Sequence, residues 1–384
     1  MIFVSGPRQV GKTTTCRNVA SSPESYLDWD NSDDRRIILR GPAAITERLK
    51  LSSLREKPQV VILDEIHKFS RWKTLLKGFY DTYSENVRIL ITGSSRLDSF
   101  RRGGDSLMGR YFHYRMHPFS IAEIVWQSLP NAKKILHSPK KIATDDFTAL
   151  WEHRGFPEPF IKRDYRFTRR WWSLRRQQLV REDIRDLTQV RELSQIEVLT
   201  NILIERSGEQ LIYGNLAAEI QVSADTLRRW INTLCSLHFG FLIRPWFKNI
   251  TRSLRKEPKW FLRDWSNISD AGKRGETFVA CHLFKAVEGW TDFGFGDFQL
   301  SYLRDKNKRE VDFLITRDNK PWILVEVKTS ETSLSPSLEF FRKQTQAPYT
   351  FQVIINANFV NADCFAQINK PMVVPAKTFL SQLL

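Results

Sequence analysis

The segment GPRQVGKTT, residues 6–14, directly follows the apolar run IFV at residues 2–4. It has the spacing GxxxxGK[ST] of a phosphate-binding loop, in which a buried strand leads into a Gly-rich turn and a helix begins at the lysine. In such a loop the backbone amides cradle the α- and β-phosphates of ATP, Lys12 reaches the β- and γ-oxygens, and the Thr13 hydroxyl ligates Mg²⁺. The residues expected to contact the nucleotide are Gly6, Pro7, Arg8, Gln9, Val10, Gly11, Lys12, Thr13 and Thr14. The alternative is a Gly-rich turn that has this spacing by chance.

A second apolar run, residues 60–63, ends in Asp64-Glu65. A continuous apolar run of this length is typical of a central parallel strand that is buried on both faces. An acidic pair at the carboxyl edge of such a sheet lies beside the phosphate loop. We expect Asp64 to hold Mg²⁺ and Glu65 to orient and deprotonate the attacking water. The alternative is an acidic strand end that caps the next helix.

A third strand is predicted at residues 88–91, and it is followed by Thr92-Gly93-Ser94. A small polar residue at this position, Ser94, is expected to contact the γ-phosphate. This pattern is less specific than the other two, because serine and glycine are also ordinary turn residues.

The composition is that of a globular chain without a membrane anchor. Of the 384 residues, 41% are hydrophobic and 12% are aromatic, which excludes a disordered chain. No apolar run approaches the roughly 18 residues that span a bilayer, and the phosphate loop lies where a secretory signal would be. The four cysteines, which lack CxxC spacing, are expected to be reduced and mostly buried. We therefore expect a cytoplasmic protein with no membrane partner.

The net charge of +16 and the pI of about 9.7 suggest a polyanionic partner. Residues 162–263 carry 20 Lys and Arg against 11 Asp and Glu, so the excess is concentrated there. Within this stretch, residues 169–176 mix arginines with the aromatic pair Trp171-Trp172, a mixture that suits phosphate contact and base stacking. The alternative is a solvated helix face whose tryptophans lie in the core.

Residues 194–248 have the pattern of a winged helix. Residues 216–220 predict a short helix, and residues 222–231 predict a second helix that Ser223 caps. The apolar run at residues 239–243 predicts a strand. If the second helix enters the major groove of DNA, Thr226, Arg228 and Arg229 are its reading residues. The alternative is a winged helix that serves as a spacer or a protein contact.

The end of the chain contains two predicted strands with charged residues. Residues 310–315 include Asp312, and residues 323–328 place Glu326 and Lys328 on one face of the second strand. Two carboxylates from neighbouring strands bind Mg²⁺, while the lysine positions the attacking water. This is the D…ExK signature of restriction-type nucleases, and Glu276 on a preceding helix is a candidate fourth member. The alternative is an exposed edge strand with a surface ion pair.

Taken together, these motifs resemble those of prokaryotic AAA-type ATPases that carry a C-terminal domain of unknown function. The resemblance rests on residues 6–14, 63–67 and 92–95, on Gly109-Arg110, and on residues 117–123, and it covers essentially the whole chain. Proteins with these motifs are similar to archaeal-type, STAND-related ATPases, and the tail of the chain resembles the restriction-endonuclease fold. The resemblance implies a candidate catalytic role for Arg110 as an arginine finger in a homo-oligomer.

The expected fold class is α/β, in four domains. They are a P-loop parallel-sheet ATPase domain (1–128), a helical lid (129–193), a winged helix (194–257) and a mixed α/β restriction-endonuclease-like domain (258–384). Two departures from the family pattern stand out. The family usually has residues before the first strand that help to hold adenine, so we expect either weaker nucleotide binding or a start further upstream. The family's tail often begins Asp-x-Gly, whereas this chain has Asp264-Trp265-Ser266.

Three functions follow from these observations. The first is an ATPase that uses ATP and Mg²⁺ to act on DNA, with an active nuclease tail. The second is a nucleotide-dependent switch whose inactive nuclease-like tail docks a protein or DNA partner. The third is a regulator that reads DNA through the winged helix. The sequence favours an intact tail site, since Asp312, Glu326 and Lys328 are all present.

Overall fold

A computed structural model of the chain describes residues 1–51, 57–93, 107–129, 135–179, 184, 193–247 and 256–384. The chain divides into two compact units, Met1–His117 and Pro118–Leu384. The predicted domain boundaries at 128/129, 193/194 and 257/258 all fall inside the second unit. The division into four domains therefore stays a proposal.

The first unit contains a five-stranded parallel sheet in the order β2-β3-β4-β1-β5. The strands are β1 (Ile2–Ser5), β2 (Tyr26–Asp28), β3 (Gln59–Asp64), β4 (Val87–Thr92) and β5 (Phe112–Arg115). The helices are α1 (Lys12–Val19), α2 (Ser32–Arg40), α3 (Pro42–Arg48) and α4 (Trp72–Tyr83), with 3₁₀ turns at Pro23–Ser25 and Ile66–Lys68.

The sequence predicts this sheet correctly because its central strands are continuous apolar runs. Val61, Ile62 and Leu63 on β3 are fully buried, as expected for a strand covered on both faces. Helix α1 begins at Lys12, where the phosphate-loop pattern predicts it. Since parallel strands end at the same edge, the residues that follow β1, β3 and β4 lie together at one rim of the sheet.

The second unit begins with helices and continues into a mixed sheet. Its helices are α5 (Ile121–Val125), α6 (Thr144–His153), α7 (Pro157–Lys162), α8 (Tyr165–Gln178), α9 (Leu193–Glu205), α10 (Tyr213–Glu219), α11 (Ala224–Ser236), α12 (Ala271–Asp292), α13 (Pro336–Thr345) and α14 (Ala376–Ser381). Its strands are β6 (Gly240–Pro245), β7 (Lys259–Leu262), β8 (Phe298–Arg304), β9 (Glu310–Arg317), β10 (Lys320–Lys328), β11 (Tyr349–Ile354) and β12 (Pro371–Pro375), with 3₁₀ turns at Trp265–Asn267 and Cys364–Ala366.

The sheet of the second unit has seven strands in the order β12-β11-β10-β9-β8-β6-β7. Strands β9 and β10 form the predicted antiparallel hairpin. Asp318 and Asn319 make its turn with φ values of 49° and 62°, the left-handed conformation of a tight hairpin turn. Helix α12 packs against β8 and β10, so its residues lie over the hairpin face.

The segment predicted as a winged helix forms the expected helices. Ser223 Oγ accepts a hydrogen bond from the Thr226 amide at 3.1 Å and caps α11, as predicted. Strand β6 follows, but it pairs antiparallel with β7 and parallel with β8. The predicted wing strand is thus part of the seven-stranded sheet, which ties this segment to the tail.

Residues on both sides of the predicted boundary between the ATPase domain and the lid pack on the end of the chain. The Trp126 indole donates to the Ser381 carbonyl at 3.1 Å, and the His137 amide donates to the Gln382 carbonyl at 2.9 Å. Residues at the start of the second unit therefore share a hydrophobic core with α12 and α14. None of the helices in the described ranges is both long and apolar enough to cross a bilayer. All four cysteines are free thiols, two of them buried and two half-buried.

Candidate functional site

The phosphate loop depends on glycine at its first position. Gly6 has φ 142°, and a Cβ placed on it would lie 2.2 Å from the Met116 carbonyl oxygen. Gln9 and Gly11 also have positive φ values, 65° and 94°. Because non-glycine residues rarely adopt such φ values, the loop folds tightly only with glycine where the backbones meet.

Lys12 is buried within this loop, at 8% exposure. Its ammonium donates hydrogen bonds to the carbonyls of Gly6 at 2.9 Å and Pro7 at 2.6 Å. These bonds hold the charge at the mouth of the loop. An ammonium in this position is suited to the oxygens of a bound triphosphate.

Asp64 is the point at which the strand ends meet. Its Oδ2 accepts hydrogen bonds from the Thr13 hydroxyl at 2.9 Å and from the Tyr26 hydroxyl at 2.5 Å. Its Oδ1 accepts a hydrogen bond from the Thr92 hydroxyl. Burial and the neighbouring Asp64 carboxylate raise the pKa of Tyr26, so the phenol stays a donor. The structure therefore brings Thr13 and Asp64 together.

Sequence reasoning missed Thr92 and Tyr26. Thr92 is the last residue of β4 and pairs directly with Asp64 in the parallel register, a signal that comparing the two strand ends would have found. Tyr26 lies on a strand of three residues, which is too short for a recognisable sequence pattern. Ser94, the predicted γ-phosphate contact, lies outside the described residues.

Glu65 follows Asp64 in a left-handed conformation with φ 53°. Its carboxylate lies 3.3 Å from the Lys68 ammonium and 3.7 Å from His67 Nε2. Burial raises the pKa of Glu65, and Lys68 opposes that shift. A carboxylate with a raised pKa is a stronger base than an ordinary glutamate, which suits the role predicted for it.

Arg110 forms a bidentate pair with Asp81. Its Nε lies 2.8 Å from Asp81 Oδ1, and its second nitrogen lies 3.3 Å from Oδ2. Its carbonyl accepts a hydrogen bond from the terminal amine of Met1 at 2.8 Å. The guanidinium is thus held within the first unit, and its predicted role as an arginine finger stays a prediction.

In the second unit, the hairpin brings Asp312 and Glu326 close together. Val325 and Phe313 form the last pair of the β9–β10 register, and Asp312 and Glu326 are the residues directly beyond it on the two strands. Asp312 Oδ2 accepts the Val327 amide at 2.8 Å. Burial and the charge of Asp312 both raise the pKa of Glu326, so the two carboxylates lie near each other.

Lys328 lies beside Glu326, with its ammonium 2.9 Å from Glu326 Oε1. The other oxygen, Oε2, is buried and has no hydrogen-bond partner among the residues that the structure describes. Burial, together with the nearby charge of Asp312, raises the pKa of Glu326 to about 7. A buried carboxylate oxygen without a donor suits a cation ligand.

Glu276 reaches the same cluster from α12, but it does so through Lys259, which sequence reasoning missed. The Lys259 ammonium lies 3.0 Å from Glu276 Oε1, 2.5 Å from Glu310 Oε1 and 3.9 Å from Asp312 Oδ1. Lys259 is 4% exposed. Burial opposes its charge, but the surrounding carboxylates raise its pKa well above the ordinary value. Nothing in the sequence around Lys259 signals this contact.

The fit of this cluster to a divalent cation rests on two carboxylates. With the Lys259 ammonium in place, no group of three or more His, Cys, Asp or Glu side chains within the described ranges is placed to hold a metal. Asp312 and the unpartnered oxygen of Glu326 supply oxygen ligands of the kind that Mg²⁺ accepts. Mg²⁺ usually keeps several water ligands, so two carboxylates are a compatible set.

The predicted DNA-reading residues lie on α11. Arg228 and Arg229 are exposed and Thr226 is half-buried. The Arg228 guanidinium stacks over the Tyr213 ring at 5.0 Å, and Arg229 donates to the Thr226 hydroxyl at 3.3 Å. Both arginines are thus accessible.

For the aromatic pair on α8, the structure favours the alternative in which the tryptophans pack inward. Trp171 is 6% exposed and packs near Phe156, while Trp172 is half-buried and stacks towards Phe239. The reason is that the two indoles pack against the aromatic rings of Phe156 and Phe239, while arginines lie on the solvent side together with Tyr165 and Leu174. Arg166, Arg169 and Arg170 remain exposed and available for phosphate contact.

Comparisons with known proteins agree with the ATPase fold of the first unit. Residues 1–125 match the family model of an AAA domain. Residues 144–270 and 271–373 match two domains of unknown function, DUF8612 and DUF4143. The family that matches the tail has no assigned function, so the resemblance to the restriction-endonuclease fold stays a prediction.

Relatives are distant. The uncharacterized protein Rv2008c of Mycobacterium tuberculosis is 22% identical over 346 residues, which cover 88% of this chain and 72% of the relative. The uncharacterized protein MJ1544 of Methanocaldococcus jannaschii is 23% identical over 354 residues, which cover 88% and 77%. The chain also shows a likeness to the S. cerevisiae Hsp104-ADP complex, with 15% identity and a TM-score of 0.27 over 76% of this chain and 41% of that one. A likeness at this level carries no argument about assembly. Over its first 125 residues the chain is therefore similar to an AAA domain, which supports an ATPase of the AAA type, and it continues into regions similar to domains of unknown function.

Proposed function

We propose that the first unit binds ATP with Mg²⁺ at residues 6–14 and hydrolyses it. The observation that carries this proposal is the hydrogen bond between Thr13 and Asp64, since it sets two oxygen ligands 2.9 Å apart beside the phosphate loop. Thr13 and Asp64 would hold Mg²⁺, which when bound supplies charge neutralisation on the phosphates. Lys12 would bind the β- and γ-oxygens.

Glu65 would orient a water molecule and accept its proton. Its raised pKa favours this role, because a general base is most effective when its pKa approaches the working pH. Lys68 competes for the same carboxylate at 3.3 Å. We infer that the pair with Lys68 holds Glu65 in place beside Asp64 between turnovers.

For the tail we propose a metal-dependent phosphodiesterase site made of Asp312, Glu326 and Lys328. The unpartnered buried oxygen of Glu326 supports this proposal over an exposed ion pair, since in an exposed pair water would hydrate that oxygen. Asp312 and Glu326 would hold Mg²⁺, and the Lys328 ammonium would position water and offset charge on the phosphate.

The alternative is a tail that keeps this arrangement but docks a protein or DNA partner without cleaving it. Plasmid cleavage with Mg²⁺ or Mn²⁺, with and without ATP, separates the two. We expect nicking by the wild type, loss in Glu326→Gln and Lys328→Ala, and full activity in Lys320→Ala, an exposed lysine at the far end of β10. Wild-type protein that binds plasmid but leaves it uncut in both metals would establish the docking alternative.

DNA is the polyanion that we propose as partner, bound through the arginines of α11. Each neutralised phosphate contributes about 0.9 to the slope of log K against log salt. Replacing Arg228 and Arg229 with alanine should flatten that slope by about 1 to 2 units. The double variant Arg169→Ala/Arg170→Ala tests the competing basic face on α8. An unchanged slope in the α11 variant would assign this helix to a spacer or a protein contact.

A further inference from the structure

The carboxylates of the tail divide into two groups around Asp312. On one side, Glu276 and Glu310 both contact the Lys259 ammonium, at 3.0 Å and 2.5 Å. On the other side, Glu326 leaves its Oε2 without a described partner. Asp312 lies between the groups, with Oδ1 3.9 Å from Lys259.

The position of Lys259 is that of a bound cation. Three carboxylate side chains from α12 and β9 surround its ammonium, and the side chain is 5% exposed. Nucleases and phosphatases with two metals hold the ions about 3.5–4 Å apart, bridged by shared carboxylates. A second ion bridged by Asp312 to the Glu326 side would have to sit where the ammonium lies.

The backbone around the cluster is also closely fitted. Gly208 has φ 87°, and a Cβ on it would lie 3.1 Å from Glu276 Oε2. Gln210 forms an isolated bridge with Lys259. The Glu276 carboxylate is held by the Lys259 ammonium itself, at 3.0 Å, so a divalent ion cannot enter without displacing the ammonium.

We propose that Lys259 is a built-in cation that occupies the place formed by Glu276, Glu310 and Asp312 and excludes a divalent ion from it. The tail then takes at most one divalent ion, on the Glu326 side of Asp312. The limit of one divalent ion in the tail rests on the proposed phosphodiesterase site, whereas the exclusion of an ion by Lys259 does not.

The test counts Mn²⁺ bound to the full chain without nucleotide, by electron paramagnetic resonance of the free ion. Lys259→Met removes the charge and keeps the length of the side chain, and it should bind one Mn²⁺ per chain more than the wild type. The double variant Lys259→Met/Glu276→Gln should lose that extra ion. Lys259→Arg keeps the charge and should match the wild type, as should the exposed control Lys320→Met.

A Lys259→Met protein with the wild-type count would overturn the proposal. If that variant fails to fold, Glu276→Gln in the otherwise wild-type chain decides, because it should leave the Mn²⁺ count unchanged; loss of an ion there would mean that Glu276 is a metal ligand. The proposed phosphodiesterase site is tested separately by the ion that Asp312→Asn and Glu326→Gln each remove from the wild type. Absence of that ion would reject the cleavage site and leave the Lys259 comparison intact.

Discussion

The Thr13 hydroxyl donates a hydrogen bond of 2.9 Å to Asp64 Oδ2, although the two residues are 51 positions apart in the chain. The contact forms because β1 and β3 end at the same edge of a parallel sheet, with β4 between them. The start of α1 and the end of β3 thus lie next to each other. Both oxygens are of the kind that ligates Mg²⁺.

Lys12→Ala should raise the Kd for ATP at least about 100-fold. Its ammonium would make charge-assisted hydrogen bonds to the phosphates, each contributing about 1.5–3 kcal/mol. Isothermal titration calorimetry with ATP and Mg²⁺ measures the change. Lys77→Ala, an exposed lysine on α4, is the control and should bind as the wild type does. Equal affinities in the two variants would remove Lys12 from the site.

Gly6→Ala should destabilise the first unit by about 1–3 kcal/mol and weaken nucleotide binding. The added Cβ would lie 2.2 Å from the Met116 carbonyl, so the loop must move. Gly78→Ala is the control, since its Cβ would meet nothing within 4 Å on α4, and alanine there should stabilise by about 0.5–1 kcal/mol. Urea unfolding compares them, and similar effects of the two substitutions would contradict the role of Gly6.

Arg154→Met should cost about 3–5 kcal/mol of stability in the second unit. Arg154 and Asp264 form an ion pair whose side chains are 3% and 4% exposed, so the substitution leaves a buried carboxylate without its cation. Arg206→Met breaks a more exposed pair with Glu219 and should cost about 1 kcal/mol or less. Chemical unfolding measures the free energy of unfolding of both variants. Equal losses of stability would show that burial does not increase the contribution of the Arg154–Asp264 pair.

His282 should make the second unit less stable in mild acid. Its Nε2 accepts the Ile121 amide at 3.1 Å, its Nδ1 donates to the Phe278 carbonyl at 2.8 Å, and burial lowers its pKa to about 3. The folded pKa lies below the ordinary value of about 6.5, so the contribution is complete above about pH 6.5. It is lost as the pH falls towards 3, because the unfolded chain binds the proton first.

The expected loss between pH 7.5 and pH 5 is about 2 kcal/mol, at up to roughly 1.4 kcal/mol per pH unit. Urea unfolding at both pH values measures it. His282→Gln should be less stable at pH 7.5 and should lose less on acidification. The same pH dependence in variant and wild type would assign the acid sensitivity to other groups.

The sequence predicts those features that depend on local pattern. The apolar runs of β1, β3 and β4 specify buried strands, and Ser223 marks the start of α11, because each signal lies within a few residues of what it specifies. The placement of Asp312 near Glu326 also follows from a short hairpin, in which strand pairing has few alternatives.

Contacts between distant elements do not follow from such patterns. Lys259 enters the carboxylate cluster only because β7 joins the sheet beside β6, and Arg154 reaches Asp264 across 110 residues. The aromatic pair on α8 is a second feature that the local sequence pattern does not predict. An alternation of Trp and Arg on a helix does not reveal which face is buried, and the structure turns Trp171 inward.

We propose that the first unit hydrolyses ATP with Glu65 as the base. Steady-state phosphate release with Mg²⁺, measured together with ATP affinity, tests it most directly on the wild type, Glu65→Gln and the exposed control Glu85→Gln. We expect the wild type and Glu85→Gln to turn over ATP, and Glu65→Gln to bind ATP normally while its kcat falls at least about 10²-fold. Wild-type protein that releases no phosphate, or a Glu65→Gln variant with wild-type kcat, would contradict it.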